Sequence, residues 1–85
     1  SFTHRQIWRG IDKLAAKHDL TASGLAIRAG LDPTAFNISL RVTRERRRRW
    51  PGTETLAKIL DATGASLESF SVLMRGGKMV ERKKR

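Results

Sequence analysis

The sequence predicts an all-α domain. Three observations carry this expectation. Apolar residues recur at the helical period, residues of capping type precede each apolar run, and no segment shows sustained strand alternation.

Thr3, His4, Arg5 and Gln6 have the form of a capping box, in which Thr3 caps and Gln6 reaches back. Phe2 and Ile7 flank it as a hydrophobic staple. Ile7, Trp8, Ile11, Leu14 and Ala15 continue as one stripe, which predicts a first helix over residues 4–18. Gly10 weakens that helix by about 1 kcal/mol relative to alanine, and close packing of another helix would account for it.

Thr21 is the next cap, with Leu20 and Leu25 as its staple pair, and a second helix is expected over residues 22–29. Gly30 suits the left-handed residue that closes it. Asp32 is a strong N-cap and Pro33 is pre-set for a first helical position, so a third helix is expected over 33–41, with Leu31 and Phe36 as its staple. Only residues 30–32 separate the second and third helices. A connection this short predicts a helix-turn-helix.

Pro51 and Gly52 precede a fourth helix over 53–63, marked by Leu56, Ala57, Ile59 and Leu60 and closed by Gly64. Ser66 caps a fifth, with Leu67, Phe70, Leu73 and Met74 on its apolar side, ending at Gly76 and Gly77. The expected organisation is one domain over 1–75 and a basic tail or linker over 76–85, which has too little apolar content to fold by itself.

The 85 residues suffice for a single small domain with a narrow stability margin. There is no cysteine, so disulfides and thiolate metal sites are excluded, and His4 and His18 are too few for a metal cluster. No metal or cofactor is expected. No apolar run approaches the roughly 20 residues of a membrane span, and charges interrupt the N-terminal segment where a signal peptide would lie. A soluble cytoplasmic protein, associated with the nucleoid, is the expectation.

The net charge of +10 is localised. Residues 41–50 carry six arginines and one glutamate, and residues 75–85 carry six basic residues and one glutamate; the rest of the chain is balanced. Like charge repels itself, so this concentration suits a polyanionic partner better than a merely solvated surface.

At "LTASGLAIRAGLDPTAFNISLR" the sequence resembles the DNA-binding domain of the lambda-type phage repressors, the xenobiotic-response-element-like regulators. Leu20, Thr21, Leu25, Ala26, Ala29, Gly30, Leu31, Asp32 and Phe36 stand at that family's characteristic positions. "PGTETLAKILDATGASLESF" is similar to the family's following section, and the match extends over about residues 7–73. Ser39 and Leu40 depart from the usual isoleucine and glutamate, and the loop over 42–52 is longer and more basic than usual. That loop and Trp50 look most like LexA-like or phage-repressor-like regulators with a self-cleaving C-terminal peptidase domain. The resemblance implies a five-helix, lambda-repressor-like fold and sequence-specific binding of double-stranded DNA by a transcriptional repressor. It also implies a palindromic operator bound by a homodimer.

Within that expectation the third helix enters the major groove. Thr34, Asn37, Ile38 and Arg41 lie on its outer side and are the candidate base contacts. Asn37 can bond an adenine edge, and Ile38 can pack on a thymine methyl or, with the helix rotated, in the core. Thr21, Ala22 and Ser23 correspond to the helix end that points free amides at a phosphate in the family. Arg28 either reaches the DNA backbone or is solvated. Arg44, Arg46, Arg47, Arg48 and Arg49 are candidate phosphate contacts, one of which can enter a narrow minor groove. Trp50 reads as an anchor on the core, with base stacking as the competing role. A disordered basic patch is the bland alternative for the whole loop.

His4 and His18 read as helix-surface residues, and no nucleophile, base or paired-carboxylate arrangement points to catalysis. An antitoxin-type interaction domain and an RNA-binding helical domain are the alternatives. The RNA reading would need exposed aromatics, whereas Phe2, Trp8, Phe36 and Phe70 all hold core or staple positions in the sequence pattern.

Overall fold

Thr3 caps the first helix as its sequence implies. Its hydroxyl accepts from the Gln6 N–H at 3.2 Å, and its own N–H donates to Gln6 Oε1 at 2.9 Å. The computed structural model describes residues 2–42, 45 and 47–76. Among them are four α-helices, α1 (His4–Lys17), α2 (Ala22–Arg28), α3 (Thr53–Thr63) and α4 (Leu67–Met74), with one 3-10 turn (Ile38–Leu40) between α2 and α3. The only extended pairing in this set is a single antiparallel bridge between Val42 and Arg48. The fold class is all-α. Residues 77–85 of the expected tail lie outside the described residues.

Each α-helix ends on a local device. After α1 the Leu20 N–H returns to the Ala15 carbonyl at 2.8 Å, which needs a left-handed residue between them, and Asp19 supplies it at φ 57. After α2 the Leu31 N–H returns to Ala26 at 2.8 Å across Gly30 at φ 77. Glycine adopts that conformation without a Cβ clash, whereas Asp19 does so at a cost. Thr21 caps α2 through the Gly24 N–H, and Ser66 forms a reciprocal capping box with Ser69 on α4.

The core is built around α1. Ile7, Ile11 and Leu14 meet Leu25, Phe36, Ile59 and Phe70 in one buried cluster. α1 packs chiefly on α4. Gly10 is the reason the two can approach: a Cβ there would stand 2.6 Å from Met74 Cγ and 3.0 Å from Phe70 Cζ. The glycine that weakens α1 as an isolated helix lets α4 seat on it.

The expected third helix over 33–41 does not form. Residues 33–36 make a turn, Asn37 is extended at φ −60, ψ 139, and the 3-10 turn follows. The hydrogen bonds here span three residues: Ala35 to Asp32, Asn37 to Thr34, Leu40 to Asn37, Arg41 to Ile38. Two causes act together. Thr34, Asn37, Ile38 and Ser39 are weak helix formers. In addition, the Phe36 carbonyl, which a continuing helix would give to the Leu40 N–H, accepts instead from Arg41 Nε at 3.2 Å and Nη2 at 2.9 Å. Phe36 itself is buried as expected, edge-on to Trp8 at 6.0 Å.

Three apolar residues are more exposed than a continuous amphipathic pattern would leave them. Leu40 is 41% exposed, because the helix that would turn it beside Phe36 toward the core is absent. Leu67 is 65% exposed in the first turn of α4, and Phe2 is 52% exposed, its ring 6.3 Å from that of Trp50.

Candidate nucleic-acid interface

Phe36, Arg41 and Arg49 are held to α1 by a column of side chains one turn apart, His4, Trp8 and Asp12. Arg41 is the central link. Its guanidinium makes a two-pronged pair with Asp12 (Nη1–Oδ2 3.0 Å, Nη2–Oδ1 2.8 Å), lies 4.5 Å from the Trp8 ring centroid, and bonds the Phe36 carbonyl. Its side chain is only 12% exposed. Arg41, expected at base edges, is therefore committed inside the domain. The planar fork explains the choice: it satisfies a carboxylate, a carbonyl and an aromatic face at once.

Backbone pairing then closes the loop. The Arg49 N–H donates to the Arg41 carbonyl at 2.8 Å, beside the bridge between Val42 and Arg48. Trp8 Nε1–H donates to the Arg49 carbonyl at 3.0 Å. His4 Nε2 stands 3.0 Å from the Arg41 carbonyl and 3.1 Å from that of Arg49. The Trp8 Nε1–H lies 3.1 Å from the same nitrogen, so His4 Nε2 bonds either carbonyl when it carries the proton and accepts from Trp8 when it does not. Both ends of the loop are thus fixed to α1. Trp50 is not a core anchor: it is 50% exposed and rests edge-on against His4 at 5.6 Å.

Outside this clamp lies the other half of the site. Thr34, Asn37 and Ile38 are exposed, Ile38 by 78%, so it is not a core residue. Asp32 Oδ1 accepts from the Thr34 N–H at 2.8 Å and from its hydroxyl at 2.6 Å. The Thr34 hydroxyl, then its N–H, hold the Asp32 carboxyl below its usual range. The turn is accordingly favoured by ionised Asp32; that contribution is present above the ordinary carboxylate pKa and fades as pH falls through the lowered value.

Arg47, Arg48 and Arg49 are exposed, while Arg44 and Arg46 lie outside the described residues. On α2, Ser23 and Arg28 are exposed and Ala22 is half-buried. The Thr21 hydroxyl is engaged in its cap. Arg41 thus lies between an exposed turn, in which Thr34 is bonded to the Asp32 carboxylate, and a loop that exposes Arg47, Arg48 and Arg49.

Sequence reasoning missed three parts of this arrangement: the partnership of Asp12 with Arg41, the role of Trp8 as a platform, and the hydrogen bonding of His4. Their i, i+4, i+8 spacing was available in the sequence, but nothing local tied that column to residues some 30 or more positions away. No helix among the described residues is long and apolar enough to cross a membrane, and none of those residues cluster as a metal site. In comparisons with known proteins, the chain matches no family model, no curated protein and no solved structure.

Proposed function

We propose that this domain binds double-stranded DNA sequence-specifically, as the DNA-binding part of a transcriptional repressor of the lambda-repressor-like, helix-turn-helix type. The observation that carries the reading is the exposure of Thr34, Asn37 and Ile38 together with that of Arg47, Arg48 and Arg49 in a segment fixed to α1 at Arg41 and Arg49. In this reading α2 and the turn after it stand for the helix-turn-helix, with residues 33–37 and the 3-10 turn taking the place of a full recognition helix. Asn37 bonds a base edge and Ile38 contacts a thymine methyl. Arg47, Arg48 and Arg49, with Arg44 and Arg46, neutralise phosphates and set affinity rather than sequence choice. A palindromic operator bound by two copies, and a location at the nucleoid, follow from the same reading.

Selection of bound sites from random duplex DNA tests it directly. Enrichment of a defined sequence is expected, and recovery of unenriched DNA would refute specificity. On the selected site, Asn37→Ala should cost about 1–3 kcal/mol and have little effect on random duplex. Affinity should fall about a thousandfold between roughly 50 and 200 mM salt if about six phosphates are contacted. A flat salt response would remove the arginine loop from the interface.

A further inference from the structure

Beside α1 lies an open groove of about 1030 Å³ that shares only Arg48 with the DNA reading. Its lining is partly aromatic: Trp50 and Phe2 are each about half exposed, and the His4 ring stands edge-on to Trp50 at 5.6 Å. Arg5, Arg9 and Lys13 run along one side of it at four-residue spacing, which sets them one above another on α1. Arg48 reaches it from the loop. The single acidic residue in the lining, Asp12, is already neutralised by Arg41. A half-exposed aromatic surface edged by four cations has the chemistry of a site for a flat ring that carries an anion. Several cations call for more than one negative charge, and arginine forks match phosphate oxygens.

We infer that this groove binds a free nucleotide, its base stacked on the exposed face of Trp50 and its phosphate held by Arg5 and Arg9. The base lies on Trp50 rather than between the two rings, because Phe2 and Trp50 already touch at 6.3 Å. The groove's volume is on the scale of small-molecule sites. The inference shares only Arg48 with the DNA reading; the groups that hold the nucleotide, Arg5, Arg9 and Trp50, are separate from Thr34, Asn37 and Ile38.

Titration calorimetry at low salt with adenosine 5′-monophosphate, adenosine, ribose 5-phosphate and a single-stranded hexadeoxyadenylate tests it. The monophosphate should bind one site saturably, and adenosine and ribose 5-phosphate should each bind at least about tenfold more weakly. Arg5→Ala with Arg9→Ala should weaken the monophosphate about tenfold and leave adenosine unchanged. Trp50→Ala should weaken the monophosphate and adenosine at least about fivefold and leave ribose 5-phosphate unchanged. Arg5 and Arg9 are exposed, so their pair of substitutions decides the matter even where Trp50→Ala fails to fold. Absence of saturable heat, or equal affinity for the monophosphate and ribose 5-phosphate, would overturn the inference. So would a hexanucleotide that binds about a hundredfold tighter than the monophosphate, which would assign the surface to a single strand.

Discussion

α1 is held on two stripes by different kinds of force. Along one, Gly10 admits Phe70 and Met74 of α4 into a dry apolar seam. Along the other, His4, Trp8 and Asp12 hold Arg41 and Arg49 through hydrogen bonds, a cation over a ring and an ion pair whose carboxylate is half exposed. The seam is non-directional and scales with area, so it stabilises the whole domain. The polar clamp is directional and partly wet, so it specifies where one segment sits more than it adds to global stability.

The largest expected effect breaks the seam. Phe70→Ala removes a fully buried ring and should cost about 3–5 kcal/mol, a large part of the roughly 5–15 kcal/mol that keeps a domain folded. Denaturant unfolding should show one cooperative transition displaced as a unit. Gly10→Leu attacks the same seam by overfilling it. A loss of about 1–3 kcal/mol is expected in the same measurement, although leucine is the better helix former. A stabilised variant would mean that α4 does not press on Gly10.

Arg41→Ala tests the clamp. It leaves Asp12 without its partner and the Phe36 carbonyl without the guanidinium, and about 1–3 kcal/mol should be lost. The sharper readout is local: hydrogen exchange at the Arg49 amide should accelerate much more than at Ile11 or Leu14. Arg41→Lys should restore little, since an ammonium cannot reproduce the fork. Uniform acceleration across α1 would show that clamp and seam are one cooperative unit.

The smallest effect lies at the end of α1. Asp19→Gly removes the left-handed strain and should raise stability by about 0.5–1 kcal/mol, measured as a higher melting temperature. A fall would mean that the aspartate side chain contributes more there than its backbone costs.

The same division separates what was legible in the sequence from what was not. The caps at Thr3, Thr21 and Ser66 and the stops at Gly30 and Gly64 are local features, and the structure has them where the sequence has them. The buried positions of Ile7, Ile11, Leu25, Phe36, Ile59 and Phe70 follow the apolar period. The helix expected over 33–41 has a valid local start, Asp32 with Pro33, but weak helix formers follow and a distant pair overrules it. Arg41 reaches Asp12 across 29 positions and takes the carbonyl that a helix would have needed. Within the candidate site, the exposure of Thr34 and Asn37 is legible, whereas that of Ile38, left open between groove and core, the inward turn of Arg41 and the outward turn of Phe2 and Trp50 depend on tertiary contacts.

The two tryptophans differ in a way that provides an optical consequence. Trp8 is buried with a cation over its ring and its N–H bonded to the loop, whereas Trp50 is half in water. Their emission should therefore differ in colour, bluer for Trp8 and redder for Trp50. Trp50→Phe leaves Trp8 as a single native fluorophore inside an intact clamp, so that intrinsic fluorescence can follow opening of the loop without an attached label.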